Sequence, residues 1–381
     1  MLSRLETQVL YCSDNLPKLR QFPADCIDLI YLDPPFFSNR RYEVIWGDEA
    51  EVRSFEDRWA GGIEVYIDWM RKRILELRRV LTARGSIYLH CDPHASHYLK
   101  ILMDQVFGQD WFRSEIVWKR TGAHGSTKGY APVHDCILYY AGPGHTWNPQ
   151  HHGYRDEYLA SKYKYHDERG RYTLITLMPP GIRSGETGEP WRGIDPTAKG
   201  AHWQNPPSKL EELDRAGMIY WARNGKGLPR LKRYLDNNAG VPVQDLWTDI
   251  AAINSQARER LGYPTQKPES LLERIIAASS HEDDVVLDPF CGCGTTVSVA
   301  ERLNRRWIGI DISPTAVNLM VRRLKKYNPR LQFLTEGLPV TENDLRRLRP
   351  FEFQNWVIQK FNGTHSTRNQ GTWELMVTAS C

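Results

Sequence analysis

Asp33-Pro34-Pro35-Phe36 places a carboxylate, two residues without a backbone N–H, and an aromatic ring in four consecutive positions. Two prolines make this stretch stiff and leave it only acceptors to offer. An amino group on an aromatic ring is a poor nucleophile, because its lone pair is delocalised into the ring. The Asp33 carboxylate and the Pro34 carbonyl can hold both amino hydrogens and draw the nitrogen towards a tetrahedral geometry. They also stabilise the positive charge that develops as the nitrogen reacts. Phe36 offers a face on which a flat ring can stack. A proline-rich turn capping a strand is the plain alternative. It loses weight at the carboxyl end of a strand in an α/β sheet, where ligands bind.

A second stretch, Asp288-Pro289-Phe290-Cys291-Gly292-Cys293-Gly294-Thr295-Thr296, follows an apolar run and opens a helical one. Glycines there allow a tight turn and a close approach of backbone to ligand. About 20 residues beyond Gly292, Asp311 ends the next apolar run, where a carboxylate can accept both hydroxyls of a ribose. The pattern is Phe-x-Gly-x-Gly, not the Gly-x-Gly-x-x-Gly of a pyrophosphate binder, so a nucleoside cofactor fits better than a dinucleotide. The cofactor-binding candidates here are Asp288, Phe290, Gly292, Gly294, Thr295 and Asp311. A third stretch, Tyr263-Pro264-Thr265-Gln266-Lys267-Pro268, precedes a helix and presents Thr265 and Lys267 to the carboxylate end of such a cofactor. Without the other two it reads as an ordinary loop.

The elements that must position these residues alternate between strand and helix. Short runs at 7–12, 27–32, 86–90, 116–119, 136–140, 285–287 and 307–310 are rich in Val, Ile, Leu and Tyr and bounded by turn residues, as strands are. Helical spacing marks 66–81, with a glycine stop at Arg84-Gly85, and also 98–107, 270–280, 295–303 and 314–326. The alternation predicts an α/β sheet with parallel pairing. Between residues 141 and 254 periodicity gives way to Pro, Gly, Trp, Tyr and His. A connection of this length is an inserted domain or a disordered segment, and its aromatic content favours the domain.

The chain has 381 residues, 41% hydrophobic and 25% charged, with a net charge of +4. That is a globular balance, mildly basic, which allows a polyanionic partner without requiring one. No apolar run reaches membrane-span length, and residues 1–12 lack a signal-peptide pattern, so a cytoplasmic location is expected. The seven cysteines have no zinc spacing, and no metal site is expected.

In this order (Asp-Pro-Pro-Phe, a variable region, Pro-Thr-Gln-Lys-Pro, Phe-Cys-Gly-Cys-Gly) the chain resembles the beta-class DNA amino-methyltransferases of bacterial restriction-modification systems. The resemblance covers about residues 7 to 140 and 245 to 330. It implies a circularly permuted Rossmann-like, S-adenosylmethionine-dependent methyltransferase sheet with an inserted target-recognition region. The expected division is a catalytic half at 1–140, the insertion at 141–254, a cofactor-binding half at 255–335 and a tail at 336–381.

Carried over, Asp33, Pro34, Pro35 and Phe36 are the catalytic motif. Phe290, Gly292 and Gly294 are the cofactor loop, Asp311 the ribose acid, and Thr265 with Lys267 the methionine-end motif. Asp14 matches the contact to the cofactor's adenine, although an Asx turn explains it equally well. His90 and Asp92 fall where the family borders its target-base pocket; they line that pocket or cap the next helix. Lys119, Arg120, His124, Lys128, Arg183 and Arg192 are candidates for DNA contact, with a solvated surface as the plain alternative for each.

The implied partners are S-adenosylmethionine, double-stranded DNA, a second copy of the chain and a cognate restriction endonuclease. The tail from Pro350 to Gly363 looks like the opening of an endonuclease-like domain without room for its catalytic motif, and a truncated remnant or a short docking segment is expected there. Asp at the first motif position favours adenine N6 over cytosine N4 as the methylated atom. The rivals are an RNA base or protein glutamine as substrate, a catalytically silent DNA-binding module, and a dehydrogenase.

Overall fold

The computed structural model describes residues 5–37, 62–122, 128–154, 156–222, 227–235, 240–254, 256–263, 265–339, 341–346 and 353. His124, Arg223, Lys226, Pro264 and nearly all of the tail beyond 346 lie outside the described residues. The chain divides into two compact units, Met1–Gln150 with Gln244–Cys381, and His151–Val243.

In the larger unit the chain first forms β1 (Val9–Cys12), α1 (Asn15–Leu19), β2 (Ile27–Leu32), α2 (Ile63–Val80), β3 (Leu81–Cys91), α3 (Ser96–Phe107), β4 (Phe112–Lys119) and β5 (His134–Ala141). The smaller unit contributes β6 (His151–His152), α4 (Asp156–Lys162), β7 (Tyr165–Asp167), β8 (Gly170–Thr176), α5 (Pro207–Arg215), β9 (Ile219–Trp221), β10 (Pro229–Tyr234) and β11 (Val241–Pro242). The larger unit then resumes with β12 (Leu246–Trp247), α6 (Glu269–Ser279), β13 (Val285–Asp288), α7 (Thr295–Arg302), β14 (Arg306–Asp311), α8 (Pro314–Tyr327) and β15 (Leu334–Glu336).

The larger unit is built on one nine-stranded sheet of order β12-β4-β5-β3-β2-β13-β14-β1-β15. Every pairing is parallel except those of β5, which runs antiparallel to β3 and β4. Buried parallel strands carry apolar residues on both faces rather than alternating with polar ones. Val9, Tyr11, Ile30, Leu287 and Ile308 join the core beneath α2 and α3, whose Tyr66, Met70, Ile74, Leu77, Leu99 and Met103 complete it. Leu10, Leu29 and Val286 alternate to the other face and are equally buried. α6 packs on α7, and α8 on β1 and β14.

The topology fixes where a ligand can sit. From β2 the chain winds through α2 to β3, away from β13; from β13 it winds through α7 to β14, the opposite way. The winding therefore reverses between β2 and β13, and a crevice opens at their carboxyl ends. Asp33 follows β2, Asp288 ends β13, Asp311 ends β14, and Asp14 lies two residues past β1. Four acids thus sit at the carboxyl ends of four neighbouring parallel strands. Strands β13 and β14, late in the chain, are inserted between β2 and β1, which is the permuted arrangement.

Two boundaries differ from expectation. The helix expected to stop at Arg84-Gly85 ends at Val80, and Gly85 lies within β3. A Cβ on Gly85 would come within 2.5 Å of Leu81 Cδ1 and 3.1 Å of the Asp28 carbonyl, so this glycine serves close strand packing and not a helix end. The compact insertion spans His151–Val243, shorter at both ends than 141–254. Asn148 is tied to the larger unit by hydrogen bonds to the Ala277 and Ser280 carbonyls. Trp247 and Ile250 are buried beside β4, where Trp118 Nε1 donates to the Ile250 carbonyl at 3.0 Å.

The smaller unit has a four-stranded antiparallel sheet, β7-β8-β10-β9, and a two-stranded one, β11-β6. Its own core is Leu177, Trp191, Trp203, Leu210 and Ile219. Among the described residues there is no cluster of side chains suited to hold a metal ion, and no helix long and apolar enough to cross a membrane.

Candidate active site

A cavity of about 340 Å³ opens at the crevice. Asp33, Pro34, Pro35 and Phe36 form one wall; Asp288, Phe290, Gly292, Thr295 and Asp311 form another; Asp14, Thr265 and Lys267 also line it. Gly294 does not. It caps α7 with φ +75°, and a Cβ there would meet Met320 Cγ at 2.5 Å. Only a residue without a side chain fits a position that combines left-handed backbone with so close a neighbour.

The glycine loop is held by the two acids that flank it. Asp288 accepts from Phe290 N at 3.0 Å and from the Thr296 hydroxyl. Asp311 accepts from Gly292 N at 2.8 Å and from Ser313 N at 2.9 Å. Burial pushes the Asp288 carboxyl up to about 7 and the Asp311 carboxyl up to about 6, although these hydrogen bonds pull the other way. Each oxygen of Asp311 retains a free lone pair direction, because a carboxylate accepts at about four sites. The Cys291 and Cys293 thiols are raised by burial, so neither is a thiolate nucleophile at neutral pH.

Asp14 is held from behind by a residue that the sequence does not advertise. Arg73 Nη2 donates to both Asp14 oxygens at 3.0 and 3.1 Å, Arg73 Nε donates to Asn15 Oδ1 at 2.8 Å, and the guanidinium lies 3.7 Å from the centre of the Trp69 ring. Asn15 Nδ2 in turn donates to the Pro289 carbonyl at 2.7 Å. Arg73, Asn15 and Trp69 all line the cavity. One signal was present: Trp69 and Arg73 are four apart on α2 and therefore neighbours on its surface. Nothing local links them to Asp14.

Beneath Phe36 lies a buried polar chain. His90 is fully buried, its ring centre 5.8 Å from that of Phe36. Its Nδ1 hydrogen-bonds the Tyr31 hydroxyl at 2.8 Å, and its Nε2 faces Asp135 at 3.2 Å. Asp135 also lies 3.3 Å from Arg120 Nε. His90 supports the ring of Phe36 and is not part of the cavity lining. Asp92 does not line the cavity either; it accepts from Ala95 N at 3.3 Å in the turn before α3, whose N-cap is Ala95.

The candidates for DNA contact fall into three situations. Lys119 and Lys128 are exposed, and Arg120 sits at the end of β4 beside Asp135. Arg183 is exposed in the smaller unit. Arg192, in the same unit, is engaged by Glu211 and Asp214, as a structural arginine would be.

Among the described lining residues, four carboxylates (Asp14, Asp33, Asp288, Asp311) face two cations, Arg73 and Lys267. Arg73 is held by Asp14 and Lys267 by Asp33. Asp288 and Asp311 have no cationic partner among the described residues, so the cavity carries an excess of negative charge. Such a site repels a pyrophosphate and suits a cationic ligand.

The DNA methylase family model of N6/N4 type matches residues 27–322. The chain is 35% identical over 302 residues to the type II methyltransferase M.EcaI of Enterobacter cloacae, covering 77% of this chain and 64% of that relative, so it spans less than two thirds of the relative's length. It is 44% identical over 336 residues to the type II methyltransferase M2.DpnII of Streptococcus pneumoniae, covering 84% of this chain and 90% of that one. It is 25% identical over 320 residues to the DNA adenine methyltransferase YhdJ of Escherichia coli K12, covering 84% and 83%. With its fold, its site and a match over most of its length, the chain belongs to the N6/N4 DNA methylase family.

Proposed function

We propose that the protein transfers a methyl group from S-adenosylmethionine to the exocyclic amino nitrogen of a base flipped out of double-stranded DNA, with adenine N6 as the target. One observation carries this reading. Asp33 and Phe36, at the end of β2, share a single cavity with the acid-flanked glycine loop that joins β13 to α7.

The residues fit this cofactor. Its sulfonium and ammonium charges match the acidic excess, and it has no pyrophosphate to be repelled. Asp311 would accept the ribose hydroxyls, Asp14 the adenine amino group, and Thr295 and Thr265 would serve the amino-acid end. S-adenosylmethionine, when bound, supplies an electrophilic methyl. The protein's part is to hold the nucleophile. Asp33 and the Pro34 carbonyl take the two amino hydrogens, Phe36 stacks on the base, and His90 keeps Phe36 from tilting. Support for adenine comes from Asp at the first motif position and from the adenine named for the relative YhdJ. The type II names of the two other relatives support a cognate restriction endonuclease as a partner, and a second copy of the chain is proposed with it.

Incubation with labelled S-adenosylmethionine and duplex DNA, RNA or protein, followed by digestion to nucleosides, tests this directly. N6-methyladenine from duplex DNA is the expected product. N4-methylcytosine would overturn the choice of base, and no transfer to DNA would overturn the reading.

The two raised carboxyls give a pH dependence. A cationic cofactor favours their ionised forms, so its affinity rises as pH rises through about 6 to 7, by about tenfold between pH 5.5 and 8. The ligand-free protein follows the opposite trend. Its folded state holds these protons more tightly than the unfolded chain does, so their burial makes stability fall as pH rises from about 4 to 7. Calorimetric titration at several pH values should show tighter binding at pH 8, with proton release at pH 6. A flat profile would contradict the charge argument.

A further inference from the structure

The Lys267 ammonium rests on Asp33 Oδ2, and the two side chains are 12% and 16% exposed. The same ammonium lies 5.3 Å from the centre of the Phe36 ring. The lysine's backbone is fixed from the cofactor half, because its carbonyl accepts from the Thr295 hydroxyl at 3.3 Å. Two residues on, Glu269 is held at the start of α6 by Arg302 and Arg323. The base of this side chain is therefore anchored in one half of the sheet while its tip engages the catalytic carboxylate of the other, 234 residues away. The charge of Asp33 is also felt by three neighbours among the described residues, Tyr31, Tyr263 and Asp288. The remaining cation of the cavity, Arg73, is held by Asp14.

We propose that Lys267 is a positioning residue for methyl transfer. By occupying Oδ2 it fixes the orientation of the Asp33 carboxylate and leaves Oδ1 for the amino hydrogen of the base. This rests on the role given to Asp33 above, and it replaces the expectation that Lys267 serves the carboxylate of the cofactor. A carboxylate with one charge-assisted hydrogen bond has lost its freedom to turn before the base arrives, so alignment costs less in the transition state. Lys267→Met nearly keeps the length of the side chain and removes the charge.

Lys267→Met is expected to lower kcat by about 30-fold while the dissociation constant for S-adenosylmethionine, measured by titration calorimetry, changes by less than about threefold. Lys267→Arg should recover kcat to within about threefold of wild type. On an Asp33→Asn background, Lys267→Met should lower single-turnover kcat by less than about threefold, since its partner charge is gone. The corresponding cycle of unfolding free energies, which needs no activity, should also show coupling. Unchanged kcat with cofactor binding weakened tenfold or more would overturn the proposal and return Lys267 to the cofactor. A full 30-fold loss on the Asp33→Asn background would overturn it too. If wild-type protein methylates no DNA yet the unfolding cycle shows coupling, the functional reading falls and the pairing stands. If methylation proceeds and both cycles show none, the pairing falls alone.

Discussion

Asp33→Ala is expected to lower kcat for methyl transfer by about 10³-fold, the loss typical of removing one preorganised group from a developing charge. Its affinity for S-adenosylmethionine should stay within about threefold of wild type, because the acids proposed to serve the cofactor lie on β13, β14 and past β1. Asp33 shares its wall of the cavity with the rigid Pro34 and the aromatic face of Phe36. Without it, the amino lone pair stays in the ring, and positive charge on the nitrogen has no counterion. Pre-steady-state methylation of a short duplex at saturating cofactor isolates this step from product release. Asp33→Asn, which keeps the shape and one acceptor oxygen, should fall between wild type and alanine. An alanine variant with unchanged kcat would remove Asp33 from the chemistry.

The second large effect belongs to Asp311. Its alanine variant should bind S-adenosylmethionine at least about 10²-fold more weakly, since a hydrogen bond to a charged group contributes about 1.5–3 kcal/mol and a ribose can donate two. The loss has a further part. Gly292 N and Ser313 N lose their acceptor, so the turns that follow β13 and β14 loosen as well. At saturating cofactor kcat should return to within about fivefold of wild type, because uniform binding rather than transition-state binding has been lost. Calorimetry measures the affinity and steady-state rates measure the recovery. Wild-type affinity in this variant would reduce Asp311 to a staple of the loop.

The strand ends and the glycine loop were legible in the sequence because local chemistry fixes them. Apolar runs such as Val285–Leu287 stop at an acid, and a left-handed turn needs Gly292 and Gly294. The pairing of charges was not legible. Arg73 meets Asp14 across 59 residues, and Lys267 meets Asp33 across 234, through a sheet order that no local pattern encodes. Arg192 illustrates the converse. An arginine in a loop looks free in sequence, yet the fold surrounds it with Glu211 and Asp214. The compact unit is narrower than composition suggests for a related reason. Residues 142–150 and 244–254 look irregular by composition, but Asn148, Trp247 and Ile250 tie them to the sheet.

The interleaving of the sheet sets the timing of its assembly on the ribosome. β1 pairs only with β14 and β15 among the described strands, and one edge of β2 waits for β13. While the first 284 residues are being made, the apolar strands Val9–Cys12 and Ile27–Leu32 thus have open hydrogen-bonding edges. At about 5–20 residues per second that exposure lasts for many seconds. Open apolar edges of this kind invite pairing with other chains. The smaller unit, whose described strands pair among themselves, has no such wait. The half of the sheet that carries Asp33 is thus synthesised before the strands that close it, β13, β14 and β15.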